Sequence, residues 1–423
     1  MKNLKALILL FSANTISGFS QGVSMIAIPW YFTDTLEAPA LFGTIYFCIT
    51  CVSLIWGMYV GTLVDKYNRR NLFLGENVFG AVTFLSMASY GLINGAIPTP
   101  LVTICFAATF FVYNVHYPTL YAFSQEIIER KHYGKISTWL EVQGQVTSMT
   151  AGALAALLMT GVQAGETSLL GFSFYVPFTI EAWSLPKIFL MDGITYTISF
   201  ILISMIRYEP TVIRTKESGN VLTQLKQGIR FLQKNPLIFV FGNASYFIFV
   251  TVMVTNYFVL PNHIKVVLGG DGNAYALGEM FYGMGALGAG FSIRYIFKKT
   301  STVLGNIILT ILGASILIIM GSTTNLPIFF VLLFFLAVSN SGSRIMRVIY
   351  MLEHVPNQVI GRTQSVFQVI NVLLRMFFIG LFSLVFFTER TYLDFYILGA
   401  CAFVAAVILL IYYRRLVDIE IVE

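Results

Sequence analysis

The same pattern occurs twice in this sequence, as Gly61-Thr-Leu-Val-Asp65-Lys-Tyr-Asn-Arg69-Arg70 and as Gly290-Phe-Ser-Ile-Arg294-Tyr-Ile-Phe-Lys298-Lys299. Each stretch has a glycine followed eight and nine residues later by two cations, and the two glycines are 229 residues apart. Arg294 occupies the position of Asp65, so the spacing is repeated but not every charge. A pattern that recurs at a long fixed distance indicates an internal repeat.

Three further pairs recur at nearly the same distance and extend the repeat over most of the chain. They are Gly134-Lys135 with Gly361-Arg362 at 227 residues, Asn114 with Asn340 at 226, and Asn14 with Asn243 at 229. The sequence therefore predicts two halves of similar structure.

The composition indicates that these halves are surrounded mainly by lipid rather than by water. Of the 423 residues, 57% are hydrophobic and 11% charged, and mean hydropathy is +0.78. A soluble domain carries roughly 25% charged residues. Apolar stretches of about 20 residues recur along the whole chain, which is the length of a transmembrane helix. The four cysteines all lie in such stretches, so no disulfide framework is expected.

We predict an all-α membrane protein with twelve transmembrane helices in two pseudo-symmetric six-helix bundles. The predicted halves are 1–207 and 236–413, joined by a linker at 208–235 with an amphipathic helix near 222–233, and followed by a tail at 414–423. The predicted spans are 7–32, 41–64, 71–94, 98–124, 136–162, 186–207, 236–260, 272–296, 301–322, 326–352, 362–386 and 391–413.

The distribution of cations predicts the orientation. Of the 26 Lys and Arg residues, 20 fall on the side of the N-terminus in this topology. The opposite side carries Lys187, Lys265 and Arg390, and three arginines lie inside spans. Cytoplasmic segments of membrane proteins are enriched in Lys and Arg. We therefore expect both termini to be cytoplasmic and the protein to lie in the cell (inner) membrane.

At its first repeated stretch the sequence resembles the major facilitator superfamily, whose signature G-x-x-x-D-x-x-x-R-[RK] matches residues 61–70. Ile28-Pro29-Trp30 and Pro118 extend the similarity to the enterobactin exporter and macrolide efflux branch. The resemblance implies alternating access, with a conformational latch at the loops. The candidate latch residues are Gly61, Asp65, Arg69, Arg70, Gly134, Lys135, Gly361 and Arg362. An ordinary surface ion pair is the alternative for Asp65.

Span eleven carries a polar stripe in which Gln364, Gln368, Asn371 and Arg375 follow one another at intervals of 4, 3 and 4 residues. Such spacing places them on one helix face, which lipid would reject. Arg375 is deep in its span, where a guanidinium requires water, an anion or a carboxylate partner. It is either a cavity residue that contacts the solute or a structural partner of an intramembrane carboxylate.

Further polar residues inside spans complete the candidate site. The cavity candidates are Asn14, Gln21, His116, Asn243, Tyr246, Asn340 and Arg344, and the proton-coupling candidates are Glu141 and Glu279. Packing between helices is the alternative for the cavity candidates, and an ion pair near the inner gate is the alternative for Glu141. Arg344 and Arg375 together favour an anionic solute.

These observations predict a secondary active transporter rather than an enzyme, because no nucleotide-binding loop, metal-ligand spacing or nucleophile motif is present. Its most favoured activity is proton-coupled export of a siderophore-like or other small anionic or amphipathic compound. Proton-coupled uptake and a transport-inactive receptor remain alternatives, since span five lacks the proline of many antiporters. We expect a monomer with no cofactor and no nucleic-acid partner, in contact with membrane lipid, a small solute and protons.

The predicted orientation is testable by cysteine labelling in intact cells. Ser218→Cys, in the linker, is expected to resist a membrane-impermeant maleimide, because the positive-inside distribution places it in the cytoplasm. Ser168→Cys, in the outer segment 162–185, is the matched control and should be labelled. Strong labelling of Ser218→Cys would reverse the assignment.

Overall fold

A computed structural model describes residues 3–129, 132–162, 164–169, 172–177, 179–208, 221–356 and 359–418. Ten helices within these ranges are long and apolar enough to cross a membrane, and α5 and α10, of 28 and 25 residues, complete a set of twelve. The twelve are α1 (Leu4–Trp30), α2 (Pro39–Lys66), α3 (Arg69–Asn94), α4 (Thr99–Ile127), α5 (Tyr133–Thr160), α6 (Leu185–Ser204), α8 (Pro236–Val254), α10 (Gly272–Ile296), α11 (Thr302–Ser322), α12 (Leu326–His354), α13 (Ile360–Phe382) and α15 (Thr391–Ile411).

The predicted all-α membrane fold is confirmed, and each long helix coincides with a predicted span to within a few residues at its ends. Four shorter helices lie between or after the long ones. They are α7 (Val221–Lys234), α9 (Leu260–Val266), α14 (Val385–Thr388) and α16 (Tyr413–Val417).

The segment between α5 and α6, whose structure could not be assigned from the sequence, contains a small antiparallel hairpin. Strand β1 (Gly165–Leu169) pairs with β2 (Phe172–Val176), with Gly165 opposite Val176 and Leu169 opposite Phe172. An isolated bridge between Val162 and Ile180 continues the pairing toward the helices. The hairpin lies outside the long helices and leaves the fold class unchanged.

Two π-helical turns occupy equivalent places in the two halves. Helix α1 continues directly into a π-helical turn at Tyr31–Thr35, and α8 continues into another at Thr255–Val259. The turns begin 224 residues apart, close to the repeat distance of the sequence. Single π-helical turns interrupt the regular hydrogen-bond ladder and recur at functional positions in helices. The repeat therefore extends to a local backbone irregularity.

The chain forms two compact units. The first unit comprises Met1–Leu36, Cys51–Ser218 and Asp271–Met280, and the second comprises Glu37–Thr50, Gly219–Gly270 and Phe281–Glu423. The second long helix of each predicted half is thus divided between the units, because α2 contributes its first part to the second unit and α10 its first part to the first unit. One change between the units, at Ser218 and Gly219, lies inside the predicted linker 208–235. The assignment of this linker as the boundary between the halves stays a prediction.

Aromatic contacts connect the first part of α10 to the first unit and the first part of α2 to the second unit. In the first unit Tyr275 of α10 stacks on Trp30 of α1, with ring centroids 6.0 Å apart. In the second unit Tyr46 of α2 contacts Tyr257 edge-on, with centroids 6.3 Å apart. Aromatic pairs of this kind stabilise helix contacts by about 0.5–1.5 kcal/mol beyond their buried area.

Helix α7 packs on the start of α13 through its apolar face. Leu232 is 3% exposed and lies in the apolar cluster that includes Val366. A side chain at Gly228 would meet the main chain of Arg362 at 2.4 Å, so only glycine permits this approach. The opposite face of α7 is exposed and basic, with Lys226, Arg230 and Lys234. The helix has the amphipathic character expected for segment 222–233.

The close contact of α10 with α12 generates a test of packing. A Cβ at Gly285 would meet the main-chain oxygen of Phe334 at 2.0 Å, whereas at Gly288 its nearest neighbour would be 3.9 Å away. Gly285→Ala is expected to destabilise the fold by about 1–3 kcal/mol, since backbone cannot yield as a side chain can. Gly288→Ala is the control on the same helix. Equal thermal unfolding temperatures for the two purified variants would contradict this packing.

Candidate functional site

Arg69 and Arg70, the cations of the first repeated stretch, bind the ends of two other helices. Arg69 donates from Nη1 to the main-chain oxygen of Ala122 at 2.8 Å and reaches Glu126 Oε2 at 3.4 Å. Arg70 donates from Nε to the main-chain oxygen of Ile203 at 3.2 Å. Helix C-termini carry unsatisfied carbonyls and partial negative charge, which cations stabilise. The pair therefore connects α3 to the C-terminal turns of α4 and α6.

The other candidate latch residues have varied environments. The surroundings of Gly61, Asp65 and Gly134 lie outside the described part of the structure, although α2 and α5 contain these positions. Lys135 and Gly361 are exposed, and the main chain of Arg362 lies against α7. The latch role of Asp65 stays a prediction.

His116 is the centre of a buried polar cluster in the first unit. Its Nδ1 lies 2.7 Å from Glu76 Oε1 and its Nε2 lies 2.7 Å from Asn14 Oδ1. The side chains of His116 and Glu76 are 13% and 5% exposed. Phe73, one helical turn before Glu76, places its ring edge against the imidazole with centroids 5.2 Å apart. Three helices, α1, α3 and α4, thus meet at one imidazole.

A second buried carboxylate, Asp192 of α6, belongs to the same unit. Asp192 is fully buried and accepts a hydrogen bond of 2.7 Å from the hydroxyl of Ser24 on α1. Tyr196, one turn further along α6, interacts electrostatically with both Asp192 and Glu76. Neither Glu76 nor Asp192 was among the residues predicted for the site. Single carboxylates within the apolar runs of the third and sixth predicted spans were the available signal.

The two predicted proton-coupling residues differ in exposure. Glu141 is exposed and accepts a hydrogen bond of 2.6 Å from the Tyr121 hydroxyl. Glu279 is half-buried, and its Oε1 is a buried oxygen that accepts no hydrogen bond from the described residues. Gln21 is half-buried on α1. The position of Glu141 within a predicted span did not specify the direction of its side chain.

Arg347 is the most enclosed arginine among the described residues of the second unit. It is 3% exposed, its guanidinium lies 3.6 Å from the ring centroid of Tyr246, and its Nη1 donates to the main-chain oxygen of Ser245 at 2.8 Å. The Tyr246 hydroxyl donates to Gln364 Oε1 at 2.8 Å. Helices α8, α12 and α13 therefore share one stacked polar arrangement, which includes the predicted residues Tyr246 and Gln364.

The remaining predicted cavity residues of this unit have different partners. Asn340 donates to the Tyr282 hydroxyl at 2.8 Å, and Asn243 donates within its own helix to the main-chain oxygen of Phe239. Arg344 is half-buried and close enough to Arg347 for their charges to repel.

On α13, side-chain exposure varies along the predicted stripe. Gln368 is exposed and Asn371 is 4% exposed. Arg375 is half-buried with electrostatic contact to Tyr46, and its Nε is buried without a hydrogen-bond acceptor among the described residues.

Residues 10–379 match the family model described as Major Facilitator Superfamily. The chain belongs to this superfamily. It is therefore a multi-pass membrane transporter and not an enzyme. The enterobactin and macrolide branch is a finer assignment that the match does not reach. Comparison with curated proteins gives no match.

Solved structures of transporters share the fold over nearly the whole chain. A bacterial homologue of the iron transporter ferroportin in an inward-facing state has a TM-score of 0.73 at 11% identity, covering 97% of this chain and 99% of that one. A D-xylose–proton symporter has a TM-score of 0.72 at 14% identity, and the match covers 97% of each chain. A bacterial homologue of the human lysosomal transporter Spinster, inward-facing and unoccupied, has a TM-score of 0.70 at 13% identity. The match covers 99% of this chain and 98% of that one. At these identities the similarity concerns the fold alone.

The Arg69 contacts predict a measurable contribution to stability. Arg69→Gln is expected to lower the free energy of unfolding by about 2 kcal/mol, because it removes charge-assisted hydrogen bonds at a helix end. Lys135→Gln, which removes an exposed cation from the same unit, should change it little. Glu126→Gln in the Arg69→Gln background should recover part of the loss, because the carboxylate that has lost its contact with Arg69 is then removed. Identical unfolding of the two single variants would contradict the role of Arg69.

Proposed function

We propose that this chain exports a small anionic or amphipathic compound, siderophore-like in its chemistry, in exchange for protons by alternating access. In this proposal it works as a monomer in the cell (inner) membrane with both termini cytoplasmic. The observation that carries the proposal is Arg347. Its buried guanidinium stacks on the Tyr246 ring, and its Nε has no hydrogen-bond acceptor among the described residues.

Arg347 is a buried cation within a long helix of the membrane fold. A guanidinium inside a membrane span is costly, and it is retained where it contacts water, a counter-charge or a transported solute. Its Nη1 is satisfied by Ser245, but its Nε is buried without an acceptor among the described residues. Arg344, three residues earlier, adds a second positive charge. An anionic group bound here would accept from the free donor and relieve the repulsion between the two arginines.

The neighbouring groups suit a solute with both anionic and aromatic or apolar parts. Tyr246 presents a π face to Arg347 and holds Gln364 through its hydroxyl. Stacking on tyrosine fixes the plane of the guanidinium, and a fixed planar fork selects carboxylate-like or catecholate-like oxygens better than an ammonium would. The Asn340–Tyr282 hydrogen bond supplies further polar groups on α12 and α10.

The direction of transport rests on the sequence resemblance to exporters. Proton-coupled uptake remains the competing proposal, because the similar structures include a proton symporter as well as an iron transporter homologue. Flux in proteoliposomes separates the two, since an antiporter accumulates solute on the side of higher proton concentration and a symporter accumulates it on the opposite side.

The first test measures flux of defined probes under an imposed pH gradient. A catecholate, 2,3-dihydroxybenzoate, and an anionic dye, carboxyfluorescein, are expected to move in the presence of the protein. The cation ethidium is expected to remain at the rate of protein-free liposomes, because Arg344 and Arg347 repel it. Ethidium flux without anion flux would overturn the proposed charge selectivity, and no flux of any probe would favour the transport-inactive receptor.

The second test examines Arg347 itself. Arg347→Ala is expected to lower anion flux about tenfold or more, equivalent to about 1.4 kcal/mol or more. Arg347→Lys should restore it only partly, because an ammonium lacks the planar donors. Arg375→Ala should act in the same direction. The matched control is Arg390→Ala, which also removes an arginine stacked on an aromatic ring, at 4.6 Å from Phe386, but one whose side chain is 43% exposed.

Each variant is compared at equal reconstituted amount, with size-exclusion profile and unfolding temperature as controls for folding. Wild-type flux in Arg347→Ala would exclude the guanidinium from solute binding.

A further inference from the structure

The His116 cluster has more hydrogen-bond acceptors than a neutral imidazole can satisfy. Asn14 Oδ1 can only accept, so the Nε2 it faces carries a hydrogen. Glu76 Oε1 faces Nδ1, and a proton must occupy that contact as well, because two lone pairs would otherwise meet at 2.7 Å. With the Asn14 amide in this orientation, the geometry accommodates two protons, one on each side of the imidazole ring.

We propose that Glu76 and His116 form the proton-binding site of the transporter, and that Asn14 transmits its protonation state to α1. This inference rests on the proposed proton-coupled function and replaces Glu141 and Glu279 as the leading candidates. One proton is exchanged, the one in the contact between Nδ1 and Oε1. When it is bound the cluster is neutral overall, either as imidazolium with carboxylate or as imidazole with carboxylic acid.

Release of that proton to water leaves a carboxylate beside a neutral imidazole. The remaining ring hydrogen is then drawn to Nδ1, toward the charged oxygen of Glu76, and Nε2 becomes an acceptor. Asn14 must turn its amide to donate from Nδ2 or break the contact. Proton release therefore changes the bond between α4 and α1, the helix whose polar face was predicted to line the cavity.

The charged and titratable groups around the cluster are otherwise engaged. On α6, Asp192 accepts from Ser24, and Tyr196 interacts with both carboxylates. On α3, Arg69 reaches Glu126 on α4. Within the described ranges no Lys or Arg nitrogen lies within 4.0 Å of Glu76.

Two aromatic or acidic neighbours complete the surroundings. Tyr117 packs edge-on against the His116 ring at 5.5 Å, and Glu141 on α5 is bonded to Tyr121 of α4. Among the described residues, His116 is thus the group placed to share a proton with Glu76. Without it a buried carboxylate would be strongly destabilised.

The test uses ¹⁵N-histidine-labelled full-length protein in liposomes, observed by solid-state NMR, and requires no solute. The chain has four histidines, and the signal lost in His116→Asn identifies residue 116. At pH 6 both ring nitrogens of His116 are expected to carry protons or share them in the Glu76 contact. On raising the pH one proton should be lost, and the ring should change to the Nδ1–H tautomer.

Glu76→Gln is expected to reduce the doubly protonated fraction at pH 6 about threefold or more, since the carboxylate that stabilises it is gone. Glu141→Gln, which removes the exposed carboxylate of the same unit, should leave it unchanged. Asn14→Asp should increase the doubly protonated fraction and Asn14→Leu should reduce it, which provides an independent pair if Glu76→Gln does not fold. A single neutral tautomer from pH 5 to 9, or no response to any of these variants, would overturn the site.

A flux measurement then separates the site from the proposed function. With a probe that wild type transports, Glu76→Gln should lose accumulation driven by the pH gradient but retain exchange of labelled for unlabelled probe without a gradient. Unchanged gradient-driven accumulation in Glu76→Gln refutes the proton site and leaves the transport proposal intact. Loss of both activities in a folded variant also refutes it, because Glu76 is then needed for the cycle itself. If wild type transports no probe, the proposed function fails while the NMR result still decides the site.

Discussion

The cost of holding charge inside an apolar helix bundle constrains this structure more than any other interaction. Lipid offers no hydrogen bonds, so a polar group within a span must be satisfied by the protein, by trapped water or by a ligand. The chain meets this requirement locally. Arg69 and Arg70 use the free carbonyls of neighbouring helix ends, and Arg347 uses one main-chain oxygen and one aromatic face. Buried donors and acceptors that have no hydrogen-bond partner among the described residues, such as Arg347 Nε, mark candidate functional positions.

The helices could be predicted from the sequence because length and hydropathy decide them. A run of about 20 apolar residues has few alternatives to a membrane-spanning helix. The internal repeat also supplied an equivalent segment in the other half with which to compare each predicted span. The π-helical turns after α1 and α8 were not predictable, since the hydrogen-bond shift that creates them leaves no composition signal. The hairpin at 165–176 was missed because neither of its strands is long or strongly alternating.

The candidate site was predicted in part. Tyr246, Gln364, Asn14 and His116 were identified as polar residues of spans, and the structure gives each a polar partner on another helix. The partners themselves depend on helix rotation and on side-chain rotamers, which one sequence does not specify. Glu141 shows the limit of spacing arguments, because distance along a helix fixes depth while the direction of the side chain depends on the neighbouring helices.

The polar clusters at His116 and at Arg347 differ in chemistry, and the difference bears on energetics. The His116 cluster of the first unit holds a carboxylate and an imidazole, which can gain and lose a proton, while the Arg347 cluster of the second unit holds arginines, whose charge is permanent. A permanent cation suits an anionic solute, and a titratable pair suits a coupling proton. Exchange of a monovalent anion outward for a proton inward moves two elementary charges in the same electrical direction. At a potential of 100 mV, negative inside, this contributes about 4.6 kcal/mol toward export. Symport of the same two species moves no net charge and gains nothing from the potential. In the proposed exchange of an anion for a proton, both components of the proton gradient would therefore act together toward export.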